Sequence, residues 1–292
     1  MVQENTVNDF SKGSVVKNIL TLALPMTLAQ LINILYNIVD RVYIGRIPDH
    51  ATLSLTGLGL SMPIISAVIA FANLFGVGGA PLCSIARGKG DIKGAEKVVG
   101  NAFTMLLCTG VLLTVMGLLF KKPLLYAFGA SDATFPFADS YLSIYLLGCT
   151  FVTVSLGMNS YINAQGFARM GMVTTLIGAV LNIILDPLFI FTMGMGIRGA
   201  AIATVISQLA SAIWTVRFLT SPKAILRIRV SCMRPCLKTI RDIAALGLSN
   251  FMMSITNSIV QVVCNSTLSL YGGDLYVGVM TVINSVREIV SM

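Results

Sequence analysis

Long runs of apolar residues recur along the chain and constrain its fold more than any other feature. A helix needs about 20 apolar residues to cross a bilayer. Runs of about this length lie near residues 19–39, 58–82, 99–120, 140–162, 171–193, 197–219 and 243–270, and an eighth begins near residue 275. Only 11% of the residues are charged, whereas soluble domains contain roughly 25%. The sequence therefore predicts an all-α polytopic membrane protein.

The basic residues indicate how these spans are oriented. The net charge is +8, and most Lys and Arg residues fall in the loops on the same side as the N-terminus. Since positive residues stay on the cytoplasmic side, we expect a multi-pass protein of the inner (cytoplasmic) membrane with a cytoplasmic N-terminus. The basic residues are dispersed over these loops without interleaved aromatic residues. We therefore expect contact with the lipid bilayer and none with nucleic acid.

A basic stretch divides the chain into two units. Residues 220–242 are rich in Lys and Arg, and two prolines interrupt them. Four residues of the first span recur in the same order and spacing after this stretch: Leu22, Leu24, Asn33 and Val39 correspond to Leu246, Leu248, Asn257 and Val263. Internal repeats are typical of secondary transporters. We predict a six-helix N-terminal lobe (1–219), a cytoplasmic linker (220–242) and the start of a second six-helix lobe (243–292).

Two lobes of six helices would give a complete protein twelve spans. By this count the chain contains about 7.5 of them, because the eighth run reaches the last residue unfinished. We therefore expect a truncated N-terminal portion of a longer protein that is monomeric when complete.

An acid lies deep in the fifth apolar run. Asn182 and Asp186 are four residues apart and therefore share one helix face. Pro187 follows directly, and a proline removes a backbone donor and kinks a helix. A carboxyl group beside a helix break predicts a cation or proton site. The alternative is a purely structural hydrogen-bonded pair of Asn182 and Asp186.

A polar stripe runs along the first span. Its members follow one another at spacings of three and four residues: Asn33, Tyr36, Asn37 and Asp40. Such a stripe must face protein or water rather than lipid. Pro25 is expected to kink the same helix. The alternative for Asp40 is an interfacial pair with Arg41 near the outer end of the span.

Two more spans contribute polar residues that suit the same site. The sixth span contains Thr204, Ser207 and Gln208, and the fourth ends with Asn159 and Asn163. Desolvation disfavours the charged form of a carboxylate in such surroundings. An acid there would alternate between protonated and charged forms, or would hold Na⁺ through oxygen ligands. We predict no other metal and no cofactor.

The sequence argues against an enzyme. His50 is the only histidine, which excludes a multi-histidine metal site and hydrolase chemistry centred on histidine. No convergent set of nucleophile, base and metal ligands is visible, and the phosphate-binding motif Gly-x-x-x-x-Gly-Lys is absent from the sequence.

Several short motifs resemble those of the multidrug and toxic compound extrusion family of cation-coupled efflux transporters. They are Leu24-Pro25, Asn37-Ile38-Val39-Asp40, Ala86-Arg87-Gly88-Lys89-Gly90-Asp91, Asn163-Ala164-Gln165-Gly166 and Asn182-Ile183-Ile184-Leu185-Asp186-Pro187. The resemblance covers essentially the whole chain. It implies twelve helices in two six-helix lobes arranged as a V, of which this chain contains the first lobe and the start of the second.

The resemblance also implies a site and a function. The N-lobe cation site would comprise Asp40, Asn182, Asp186 and Thr204. The surrounding cavity would be lined by Tyr36, Asn33, Asn37, Asn159, Asn163 and Gln208. One branch of the family has a glutamate after a phenylalanine in the seventh span, but Phe251 is followed by Met252. This departure points to the DinF-like branch, in which coupling resides in the N-lobe.

The function implied is a cation-coupled antiporter that exports small organic cations or drugs by alternating access. The choice between H⁺ and Na⁺ as the coupling ion stays open at this stage. The alternative is a flippase for lipid-linked oligosaccharides from the same wider superfamily. A flippase would be expected to have a cavity rich in Arg and Lys for its diphosphate, whereas the stripes here contain mainly Asp, Asn and Thr.

Overall fold

A computed structural model describes residues 14–290 of the chain. These residues form eight α-helices: α1 (Val15–Ile44), α2 (Ala51–Gly88), α3 (Ile92–Ala127), α4 (Phe135–Leu147), α5 (Cys149–Ala164), α6 (Ala168–Pro187), α7 (Ile197–Thr220) and α8 (Leu237–Val290). A π-helical turn, Leu188–Thr192, follows α6, and a short 3₁₀ turn, Val230–Cys232, precedes α8.

The helices agree with the predicted all-α membrane fold. Six of the described helical segments are long and apolar enough to cross a membrane. Helices α4 and α5 together make a further span that is bent by 57°. Helix α8 changes direction at Gly273, where φ is 69° and ψ is −170°. This left-handed conformation, which glycine adopts readily, separates the predicted seventh and eighth spans.

Helix α2 lies at the centre of the molecule and contacts α3, α4, α5 and the parts of α8 on both sides of Gly273. The α2–α8 seam is close-packed because glycines face each other across it. A Cβ on Gly78 would lie 2.7 Å from the backbone nitrogen of Gly247. Toward the other end, the Asn265 side-chain amide donates to the carbonyl oxygen of Gly59 at 3.1 Å. Small residues let helix backbones approach in this way.

Helix α1 is held differently from the other spans. It packs mainly on α6 and touches α2, α7 and α8 at only a few points. Much of its apolar surface is exposed, including Leu24, Leu31 and Leu35. The position of α1 therefore depends chiefly on its contacts with α6.

The basic stretch between α7 and α8 lies against α3 and the end of α5. Leu226 is buried, and its backbone N–H donates to Gln165 Oε1 at 2.8 Å. The guanidinium of Arg229 pairs with the buried carboxylate of Glu96 at 2.8 Å. Residues 221–236, which we call the strap, thus bridge the ends of α3 and α5.

Two polar side chains of α3 hold the end of the strap that precedes α8. Asn101 on α3 donates through Nδ2 to the carbonyl oxygen of Cys232 at 3.2 Å. Its Oδ1 accepts from the backbone N–H of Cys236 at 2.6 Å. The hydroxyl of Thr104, one turn along α3, donates to the carbonyl oxygen of Met233 at 2.8 Å. These bonds set where α8 begins.

The first prediction tests the α2–α8 seam. A Cβ on Gly247 would collide with the carbonyl oxygen of Leu74, so Gly247→Ala is expected to lower the free energy of unfolding by about 1–3 kcal/mol, as other overpacked sites do. Gly88→Ala is the matched control, because a Cβ on Gly88 meets nothing within 4 Å. Thermal unfolding in detergent measures both variants; equal melting temperatures would contradict the packing argument.

The second prediction concerns the strap thiol next to α8. Hydrogen bonds from the backbone N–H and hydroxyl of Thr239, together with the nearby Lys97 ammonium, lower the pKa of the Cys236 thiol to about 7. Because the thiolate is the reactive form, alkylation of Cys236 should accelerate as pH rises through about 7 and then level off. Mass spectrometry of the Cys236 peptide follows the rate. Thr239→Ala should move the profile to higher pH, and an unshifted profile would refute the assignment.

Candidate functional site

The two acids singled out in the sequence meet between α1 and α6. Asp40 lies near the C-terminal end of α1 and is 8% exposed, and Asp186 lies in the last turn of α6 and is 0% exposed. Their carboxyl groups are within hydrogen-bonding reach of each other. Asn182 Nδ2 donates to Asp186 Oδ1 at 3.2 Å. The burial of Asp40 differs from the exposed interfacial position that its pairing with Arg41 alone would give.

This acid pair has more oxygen acceptors than protein donors. Asp40 Oδ1, Asp186 Oδ2 and Asn182 Oδ1 are buried without a hydrogen-bond partner. A hydrogen bond between two carboxyl groups requires a proton on one of them, because an ionised carboxylate only accepts. Oxygen atoms are also the ligands of hard metal cations. The arrangement can therefore hold one positive charge, either as a shared proton or as a small cation.

Tyr141 on α4 completes the wall of the site, and the sequence reasoning missed it. Its hydroxyl is hydrogen-bonded to Thr204 and lies close to both Asp40 and Asp186. Its ring is nearly parallel to that of Tyr145 one turn away, with centroids 6.3 Å apart. The i, i+4 spacing of two tyrosines in an apolar span was the available signal.

A small polar cavity opens next to the acid pair, between α1, α5, α6 and α7. Its volume of about 40 Å³ has room for roughly three water molecules. Six predicted residues line it: Asn33, Tyr36, Asn159, Asn182, Thr204 and Gln208. Ser207, noted in the sixth span, also lines it, and four polar residues were not anticipated: Ser155, Thr174, Thr175 and Ser211.

Two predicted cavity residues lie outside its lining. Asn37 donates to Asn33 Oδ1 at 3.0 Å and stays on the α1 stripe. Asn163 lies one turn beyond Asn159 on α5, and its Oδ1 is buried without a partner.

The two prolines assigned as helix kinks differ in their local structure. Pro25 lies inside α1, which continues as one helix across it. Pro187 is the last residue of α6, and the π-helical turn begins at the next residue. The departure from regular helix is therefore immediately beside Asp186.

Comparison with known proteins identifies similar chains. The MatE family model matches residues 25–188. The chain is 28% identical to the multidrug export protein MepA of Staphylococcus saprophyticus over 263 residues, which cover 90% of this chain and 58% of MepA. The chain thus spans under two thirds of the length of that relative.

Solved structures agree with this comparison. The inward-facing structure of a multidrug resistance MATE family transporter superposes with a TM-score of 0.79 at 27% identity, covering 90% of this chain and 60% of that one. An outward-facing structure of such a transporter superposes with a TM-score of 0.81 at 28% identity, covering 92% and 59%.

The third prediction compares two serines one turn apart on α7. Ser207 Oγ is buried without a partner, whereas Ser211 Oγ donates to the carbonyl oxygen of Thr174 at 3.1 Å. Ser211→Ala should lower the free energy of unfolding by about 1 kcal/mol, the usual value of such a bond. Ser207→Ala should not lower it, since no protein bond is lost. Thermal unfolding in detergent decides; an equal loss in both variants would refute the contrast.

Proposed function

This chain belongs to the multidrug and toxic compound extrusion family, and from that premise we propose that it provides the coupling lobe of an antiporter. In this proposal the complete protein exports organic cations or drugs in exchange for H⁺ or Na⁺. This proposal rests on the contact between the Asp40 and Asp186 carboxyl groups inside the N-lobe.

The acid pair supplies the difference between two states that coupling requires. A cation can drive a conformational change only if it binds the two states with different affinity. With a proton or Na⁺ between them, the carboxyl groups can stay in contact. Without it, two carboxylates repel each other in surroundings where the charge is poorly screened, and the contact is lost.

Helix α1 is the element that responds to this change. It depends on α6 for most of its packing, and the acid pair lies within that contact. Cation binding therefore holds α1 against α6, and cation loss frees it to move. Pro25, inside α1 and about four turns from Asp40, marks where the helix backbone lacks one hydrogen bond and bends most easily.

The polar cavity fits a cationic substrate path better than a diphosphate path. None of the described side chains that line it is Lys or Arg, and its polar atoms come from amides and hydroxyls. A flippase for diphosphate-linked lipids would need several cationic groups there. The names of the similar proteins also support export: MepA is described as a multidrug export protein.

The remaining parts of the proposal concern topology and partners. We place the N-terminus and the strap on the cytoplasmic side, because the strap contains Arg227, Arg229 and Arg234 and positive residues stay inside. The complete protein acts as a monomer in the bilayer, without a cofactor, and its coupling ion is its only inorganic partner.

The fourth prediction tests coupling in the full-length protein. Asp40→Asn and Asp186→Asn each remove one of the two carboxyl groups, so drug flux driven by an imposed H⁺ or Na⁺ gradient should fall at least about tenfold, a change of about 1.4 kcal/mol in activation free energy. Flux in proteoliposomes is measured with each gradient separately, which also identifies the ion.

Asp132→Asn is the matched control, because Asp132 is exposed and bonds only to the Tyr126 hydroxyl among the bonds described. Its flux should equal that of the wild type. Wild-type flux in both acid-pair variants would rule out the acid pair as the coupling site, and no response of the wild type to either gradient would rule out antiport.

A further inference from the structure

Three polar stripes continue from the cavity toward the strap. Residues three or four apart share a helix face, and small or polar residues recur at this spacing on three helices that meet there. The stripes are Ser155, Asn159 and Asn163 on α5, Gly171, Thr174, Gly178 and Asn182 on α6, and Ser207, Ser211 and Thr215 on α7. The members nearest the strap are Asn163, Gly171 and Thr215, each one turn beyond the cavity.

Five buried polar atoms on α5 and α7, on or next to these stripes, have no hydrogen-bond partner among the described residues. They are Asn159 Oδ1, Asn163 Oδ1, Ser207 Oγ, Trp214 Nε1 and Thr215 Oγ1. Each such atom costs about 1–3 kcal/mol if nothing bonds to it. The set includes both acceptors and the donor-only indole N–H. Water both donates and accepts hydrogen bonds, so water molecules at these positions would satisfy all five atoms.

A second cavity begins where the stripes end. Its volume is about 250 Å³ and it lies beside the start of the strap, lined by Met170, Trp214, Arg217, Phe218, Ser221 and Lys223. Along α7, Ser211 lines the small polar cavity beside the acid pair, and Trp214 lines the second cavity. Along α6, Thr174 lines the small polar cavity, and Met170 lines the second cavity. Three or four helix residues rise about 5–6 Å, so the two cavities are separated by a layer one helical turn thick.

The separating layer is polar and adjustable. The Asn163 amide lies directly against α6, where a Cβ on Gly171 would collide with Asn163 Oδ1. Only glycine at 171 leaves this space to the amide. Because the amide sits at the end of a side chain, a rotation of Asn163 is enough to change the width of the layer.

We propose that the seam between α5, α6 and α7 is a hydrated passage that conducts the coupling cation between the acid pair and the strap face, with Asn163, Trp214 and Thr215 as its gate. The inference rests on the proposed antiport function and adds the route by which the cation leaves. Arg217 and Lys223 line the mouth and repel any cation, and water in the passage weakens this repulsion, so the passage must be hydrated. A proton relayed through hydrogen-bonded water and a hydrated Na⁺ both meet this condition.

The test uses Thr215→Val and Asn163→Leu in the full-length protein in proteoliposomes. Both replace a polar gate group by an apolar one of similar size. Thr153→Val on α5 is the matched control, because its buried hydroxyl donates to the Leu106 carbonyl oxygen at 3.2 Å, outside the seam. Gradient-driven drug flux is measured with H⁺ and with Na⁺, alongside drug-for-drug exchange without a gradient, which requires the conformational change but no release of the cation.

The gate variants should reduce the maximal gradient-driven flux at least tenfold, with unchanged KM and unchanged drug exchange. Thr215→Val should also leave the melting temperature unaltered, since it breaks no protein hydrogen bond. Thr153→Val should show the opposite pattern, with lower melting temperature and wild-type flux.

Gate variants whose flux matches that of Thr153→Val would overturn the passage. A parallel loss of drug exchange would also overturn it, because the defect would then lie in the conformational change. A wild type that responds to neither gradient would instead refute the antiport function itself. If Asn163→Leu does not fold, Thr215→Val alone decides.

Discussion

The contact between the Asp40 and Asp186 carboxyl groups is the interaction on which the N-lobe depends. It joins α1 to α6, and α1 has few other neighbours. None of the described residues donates to Asp40 Oδ1 or Asp186 Oδ2, so in the proposed mechanism a proton or small cation completes the contact. In that mechanism the position of α1 is linked to the binding of one cation.

Two seams between helices in this molecule are packed in different ways. The α2–α8 seam is closed by glycines, and the backbones approach so closely that a Cβ on Gly78 or Gly247 does not fit. The α5–α6–α7 seam also contains glycines, but amides and hydroxyls occupy the space they leave. In the first seam the backbones of α2 and α8 approach closely, whereas the second retains buried polar atoms without a partner among the described residues.

The strap gives the linker stretch a defined structure. Its bonds to Gln165, Glu96 and Asn101 join it to α3 and to the end of α5, and α5 also borders the polar seam. The second cavity, where the polar seam ends, is lined by Ser221 and Lys223 at the beginning of the strap. The connection between the lobes and the end of the polar seam are therefore adjacent.

The sequence by itself determined the spans and the polar faces, because both follow from local periodicity. Asp40 and Asn33, or Asp186 and Asn182, could be assigned to one helix face each from their spacing alone. Only the tertiary structure decided which faces meet. It brought Tyr141 to Thr204, left Asn37 and Asn163 outside the cavity lining, and laid the strap on Glu96 and Asn101. These contacts join residues far apart in the chain, and each depends on how the apolar surfaces of several helices pack together, which the periodicity of one helix does not encode.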